Sequence, residues 1–135
     1  MNTHNITNKV ILVIEDDASL REIFCSILEF EGYEVKGVTN GQEALTYLLS
    51  LNKKNYPDSI LLDISMPVMD GNTFLKEINI VPDLQRIPVV ICSAHGKYES
   101  IPQIICKLEK PVEISKLCKT FNDLFDPKEG AVTIH

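Results

Sequence analysis

Residues 59–71 read SILLDISMPVMDG. The apolar run Ile60-Leu61-Leu62 ends in a carboxylate, Asp63, and Pro67 and Asp70-Gly71 then punctuate the chain. A short, continuous apolar run bounded by turn residues fits a strand buried on both faces, as in a parallel sheet. A carboxylate at the end of such a strand costs free energy unless something satisfies its charge. The rest of the chain must therefore show what surrounds Asp63.

Three other segments repeat the pattern. Upstream, VILVI (10–14) is short, continuous and β-branched, and Glu15-Asp16-Asp17 follow it. Downstream, IPVVICSA (87–94) has Pro88 at its entry, where a missing N–H matters least. IICKLEKP (104–111) is a further strand, and YEVKGV (33–38) reads as a more exposed one. Amphipathic segments alternate with these strands. In DASLREIFCSILEFEG (17–32) the residues Leu20, Ile23, Phe24, Ile27 and Leu28 form a helical stripe, with Asp17 or Ser19 available as cap and Gly32 as stop. NGQEALTYLLSL (40–51) offers Asn40 as cap with Glu43 at capping-box spacing. GNTFLKEI (71–78) begins a third helix and EISKLCKTFNDLF (113–125) is the last.

Strand–helix alternation with continuous apolar strands predicts an α/β fold, a doubly wound parallel sheet with helices on both faces. Right-handed crossovers bring the carboxyl ends of all strands to one edge, outside which ligands bind. The 135 residues suit one domain: an extension at 1–8, the domain at 9–125 and a tail or linker start at 126–135. Composition is ordinary for a soluble globular chain, with 44% hydrophobic and 24% charged residues. A net charge of −6 gives no reason to expect direct nucleic-acid or anionic-membrane binding. Cys25, Cys92, Cys106 and Cys118 lack metal-ligand spacing and read as reduced, mostly buried thiols of a cytoplasmic protein. The N-terminus MNTHNITNK has no apolar core for a signal peptide, and no apolar run is long enough to span a membrane.

At the common edge stand Glu15, Asp16 and Asp17 after the first strand, Asp63 after the third, Ser93 and Ala94 after the fourth, and Lys110-Pro111 after the fifth. Clustered carboxylates raise one another's pKa, so a cation is needed to hold them ionised. An all-oxygen donor set of few ligands suits Mg²⁺, or Mn²⁺, with Lys110 assisting. Alternation of side chains along a strand suggests that one of Glu15 and Asp16 binds directly and the other through water. Such a carboxylate, beside a divalent ion and an ammonium, can accept a phosphoryl group as nucleophile. Ser93 can donate a hydrogen bond to the new phosphate. The turn residues after Asp63 are expected to lead the chain away and leave it accessible.

Together, VILVIEDDASLRE, SILLDISMPVMDG, IPVVICSA and LEKP resemble the motifs of response regulator receiver domains of two-component signalling, from about Lys9 to Phe125. The resemblance implies a flavodoxin-like five-stranded sheet in the order 2-1-3-4-5; that order comes from the family and not from periodicity. It implies that Asp63 is the phosphoacceptor, that Glu15 and Asp16 are the acidic pair, and that Asp16, Asp63 and the backbone carbonyl of Ser65 hold the metal. It further implies that Ser93 is the switch hydroxyl, that Lys110 contacts the phosphate, and that the Lys110–Pro111 bond is cis. The phosphodonor would be a histidine kinase or a histidine phosphotransfer protein. Output would pass to an unspecified protein, and the chain would be a stand-alone regulator or part of a hybrid kinase.

Two features depart from the family pattern. Ser93 and Lys110 stand only 17 positions apart, and HGKYESIPQI (95–104) is broken by Gly96 and Pro102, so the fourth helix is expected to be short or irregular. Lys107 occupies the place of an aromatic switch residue, and its ammonium is expected to stay in water. Ser65 and His95 occupy positions that tune phosphate lifetime in the family. The competing enzyme reading, a haloacid-dehalogenase-like aspartyl-phosphate phosphatase, needs a second acid two positions after the nucleophile, where this chain has Ser65. A flavin-binding module on the same fold needs a hydroxyl- and glycine-rich loop after the first strand, where this chain has the acidic EDDAS. The expectation is therefore a signalling module rather than an enzyme.

Overall fold

The computed structural model describes residues 8–64, 70–94, 98 and 100–126. Five strands, β1 (Val10–Ile14), β2 (Glu34–Val38), β3 (Ser59–Asp63), β4 (Val89–Ser93) and β5 (Ile104–Glu109), form one parallel sheet in the order β2-β1-β3-β4-β5. Helices α1 (Ala18–Phe30), α2 (Gly41–Leu49), α3 (Gly71–Asn79) and α4 (Ile114–Phe125) accompany them. The expected order and fold class are those found.

The apolar strands are continuous because both faces are covered. On one face Leu12, Ile14, Ile60 and Leu62 pack with Leu48 of α2 and Phe74 and Ile78 of α3. On the other, Ile11, Val13, Leu61 and Val90 pack with Phe24 and Leu28 of α1 and Leu117 and Phe121 of α4. Each fully buried side chain of this size stabilises the fold by roughly 1.5–3 kcal/mol. Register follows: Ile14 sits opposite Leu62, and Asp63 opposite Cys92.

Local signals in the sequence set the helix ends. Asp17 accepts the N–H of Leu20 at 2.9 Å and caps α1, so of the two candidates it is Asp17 that caps. At the other end Gly32, with φ 104°, lets its own N–H reach Glu29 O and that of Tyr33 reach Leu28 O, a Schellman ending. Asn40 caps α2 through the Glu43 N–H at 2.8 Å. The Glu43 carboxylate, however, takes the N–H of Thr39 at 2.6 Å, one residue before the cap. Asp70 caps α3 through the Thr73 N–H at 2.9 Å.

The β4–β5 connection departs furthest from regularity. Among the described residues no helix lies between these strands; Ile104 N–H reaches back to Ile101 O at 3.1 Å in a turn, and the last helix, α4, follows β5. The irregularity expected from Gly96 and Pro102 is therefore visible, although residues 95–97 and 99 lie outside the described residues. β5 also slips register between Val89 and Val90 of its neighbour. The thiols correct one expectation. All four are free, but only Cys92 is buried; Cys25, Cys106 and Cys118 are half-buried, and Cys25 and Cys106 pack at the margin of the second apolar layer rather than inside it.

Candidate functional site

Strand β3 carries Asp63 to the carboxyl edge and stops there. The next described contact is made by Gly71, whose N–H donates to Ile64 O at 2.9 Å. A Cβ at position 71 would lie 2.6 Å from Ile64 Cα and 3.0 Å from Asp63 O. Gly71 is thus required by close backbone approach, which holds the start of α3 against the residue pair that ends β3. The sequence marked Asp70-Gly71 as a turn signal; this contact explains the glycine itself.

Three carboxylates meet at this edge. Oxygens of Glu15, Asp16 and Asp63 all lie within 4.8 Å of one another. Lys110, entering from the end of β5, places its Nζ 3.1 Å from Glu15 Oε1 and 3.3 Å from Asp63 Oδ2. Its backbone N–H donates to Ser93 O at 2.9 Å, which ties the end of β5 to the end of β4. The Lys110–Pro111 bond is cis. Structure and expectation agree that Glu15, Asp16, Asp63 and Lys110 are brought together, with buried Ser93 at the same edge. Ser65, its carbonyl, and His95 lie outside the described residues.

Asp63 is not open as expected. It is 3% exposed, with the Lys110 ammonium 3.3 Å from its Oδ2. Asp16 is the exposed member of the acidic pair and Glu15, at 1% exposure, the buried one. Burial, then the nearby Asp63 charge, push the Glu15 carboxyl up to about 7, against the opposing pull of the Asp17 N–H and of Lys110. For Lys110, burial works against the charged form, but Glu15 and Asp63 outweigh it and its pKa is raised. The cluster is therefore short of positive charge. Consistent with that, Glu15 Oε1 is buried without a well-aligned hydrogen bond, its close neighbour being the ammonium at 3.1 Å. A hard divalent cation with oxygen ligands fits both the donor set and this under-satisfied oxygen.

Arg21 is a residue the sequence pattern did not flag. Its Nη1 donates to Glu15 O at 2.9 Å, pinning the loop that carries the acidic pair to the first turn of α1. Gly37 of β2 lies beside it: a Cβ there would sit in ordinary contact with Arg21 Cδ at 3.4 Å and tightly, at 3.1 Å, against Cys25 Sγ. The contact spans only six residues, but no capping or periodicity rule announces it. Lys107, expected with its ammonium in water, is 29% exposed at the side chain and lies 3.7 Å from Glu109 Oε2 on the same strand face. Beside the acidic edge, an apolar cleft of about 560 Å³ runs between α1 and α4, with Ala94 and Lys110 in its lining. Ile23 and Ile114 line it too, and are 51% and 60% exposed.

Residues 11–122 match the family model of the response regulator receiver domain. The polar-differentiation response regulator DivK of Brucella anthropi is 31% identical over 117 residues, which cover 83% of this chain and 92% of DivK. The protein ycf27 of Porphyra purpurea is 37% identical over 87 residues; the match covers 64% of this chain and 33% of ycf27, so the chain spans about a third of that relative's length. Among solved structures, the chemotaxis response regulator CheY4 of Vibrio cholerae superposes with a TM-score of 0.74 at 26% identity, covering 87% of this chain and 99% of that one. Among the described residues no helix is long and apolar enough to cross a membrane.

Proposed function

The chain belongs to the response regulator receiver domain family, and on that premise we propose that Asp63 accepts a phosphoryl group from a phosphohistidine of a kinase or phosphotransfer protein. One observation carries the assignment: at the carboxyl end of β3, Asp63 is set within 3.3 Å of the Lys110 ammonium and inside an all-carboxylate cluster with Glu15 and Asp16. A carboxylate oxygen of Asp63 attacks phosphorus, the P–N bond breaks, and its electron pair leaves with the imidazole, which takes up a proton. Lys110 offsets charge on the transferred oxygens, and Ser93, at the end of the adjacent strand, supplies a hydroxyl to the product. Asp16 and Asp63, with Glu15 behind them and the Ser65 carbonyl as a further ligand, would hold Mg²⁺ or Mn²⁺. The ion supplies neutralisation of the phosphoryl oxygens when bound.

Signalling rests on the same residues. The Lys110 ammonium now spans Glu15 and Asp63. A phosphate on Asp63 offers it stronger partners, so the phosphorylated and unmodified forms differ at the end of β5 and in the β4–β5 connection. A downstream protein selects between them. The module is a phosphorylation switch rather than a turnover enzyme, and the phosphatase reading lacks its second acid, since position 65 is serine. The apolar cleft between α1 and α4 supports a protein donor, because an apolar helix laid there would bring its histidine to the edge that Lys110 occupies.

The test is intact-mass analysis after incubation with acetyl phosphate. One phosphoryl group is expected with Mg²⁺ and none with a chelator. Labelling of equal extent in the chelator would overturn the metal-dependent reading, and steady hydrolysis of unrelated phosphate esters would favour the phosphatase.

A further inference from the structure

At the opposite, amino edge of the sheet lies a cleft of about 740 Å³ between two 3-10 turns, Lys53–Asn55 and Pro82–Arg86. It opens where β3 and β4 begin, next to Asp58 and Pro88, five strand residues or roughly 16 Å from Asp63. Its volume lies in the range of sites for small organic ligands. Its charges are unevenly matched. The Asp58 carboxylate already accepts the Val10 N–H at 2.8 Å, and the Asp83 carboxylate is paired with Lys53 at 3.2 Å. Lys54 and Arg86 also line the cleft and make no hydrogen bond or ion pair among the described residues. In a chain of net charge −6, two unmatched cations facing one concavity are a local reversal of sign.

The cleft also has an apolar side. Pro57 and Ile87 are buried in its wall, and Tyr56 is half-buried against the adjoining core. The wall is braced by buried hydrogen bonds. Gln103, itself buried, donates through Nε2 to Leu84 O at 3.0 Å and to Ile87 O at 2.6 Å, and its backbone carbonyl accepts the Val89 N–H at 2.9 Å. A preformed wall lowers the ordering cost of binding.

We propose that this cleft binds a small anionic ligand bearing a flat ring, of the nucleoside monophosphate class. Arg86 takes the phosphate in a two-pronged hydrogen bond with Lys54 as second cation, and the ring lies against Tyr56 and the proline-lined wall. The site is separate from Asp63 and does not depend on the phosphoacceptor reading.

The probe is AMP, titrated without divalent ions into the full chain, with amide shifts as readout. Saturable shifts confined to residues 52–58 and 83–88 are expected, with a Kd below about 1 mM. Adenosine and inorganic phosphate should each bind at least about tenfold more weakly, a loss of about 1.4 kcal/mol. The double variant Lys54→Ala/Arg86→Ala, altered at two exposed side chains, should weaken AMP by a similar factor, while Asp63→Asn should leave it unchanged. Absence of saturable shifts in these segments up to about 10 mM AMP would overturn the proposal, as would unaltered affinity in the double variant. Phosphate alone binding as well as AMP would overturn the ring contact, and adenosine alone binding as well would overturn the anion site.

Discussion

Replacing Gly71 with alanine tests how the phosphoacceptor strand is held. The new methyl would stand 2.6 Å from Ile64 Cα, whereas ordinary contact begins near 3.4 Å, so the backbone around 63–64 or the start of α3 must yield by about 0.8 Å. Ile64 Cα is main chain and cannot turn aside as a flexible side chain would. Alanine gains at most about 1 kcal/mol of helix propensity over glycine. Forced overpacking costs roughly 1–3 kcal/mol. Because the 2.6 Å contact is with main chain, the cost falls toward the upper end of that range and the clash wins, with a net loss of up to about 2 kcal/mol and a fall in Tm of roughly 4 °C per kcal/mol. Displacement of Asp63 by most of an ångström should slow phosphorylation by acetyl phosphate about 10–100-fold. Thermal melts and intact-mass time courses measure the two effects, with Lys76→Ala on the exposed face of α3 as the control. An alanine variant with the wild-type Tm and rate would refute the close-approach argument.

Other perturbations address the charge cluster, a titration and the docking face. Lys110→Met removes the ammonium that lies 3.1 Å from Glu15 and 3.3 Å from Asp63, leaving buried carboxylates facing one another. Urea denaturation at pH 8 without divalent ions should show a loss of about 1–3 kcal/mol; an unchanged midpoint would contradict it. The Tyr33 phenol donates to Asn122 Oδ1, and burial, then the Glu31 charge, hold its pKa up at about 12. Its folded value lies above the unfolded value of about 10. Its contribution to stability is therefore fully present below pH 10 and lost as pH rises through about 12. Ultraviolet difference titration of wild type against Tyr33→Phe should show that the variant loses a phenol ionising at about pH 12, and a lost transition at about pH 10 would contradict it. Ile23→Asp should slow transfer from a phosphohistidine protein at least about tenfold while leaving acetyl phosphate labelling intact; equal slowing with both donors would place the defect in the site rather than on the docking face.

Much of this architecture was legible from sequence, for identifiable reasons. VILVI at 10–14 is a strand with the bounds its apolar run suggested, because burial on both faces leaves no polar alternation to confuse it. Asp17 and Asn40 cap helices as their side chains predict, since capping is settled within three residues. The grouping of Glu15, Asp16, Asp63 and Lys110 follows from parallel topology, which sends every strand's carboxyl end to one edge. What escaped depends on how segments pass one another in space, which local patterns do not encode. The Arg21 bond to Glu15 O depends on how a side chain of α1 folds back over the end of β1, and the need for glycine at 71 depends on where Ile64 passes. The near-complete burial of Asp63 and the partial exposure of three of the four thiols likewise depend on tertiary packing that no local pattern announces.

A phosphoryl group on Asp63 has a direct chemical signature. An acyl phosphate, unlike a phosphate ester or an unmodified carboxylate, is reduced by borohydride to an alcohol, which turns the modified aspartate into homoserine. After labelling with acetyl phosphate and Mg²⁺, reduction and peptide mapping should find homoserine at position 63 alone, and none in Asp63→Asn. Homoserine at another acid, or undiminished reduction product in Asp63→Asn, would contradict the account.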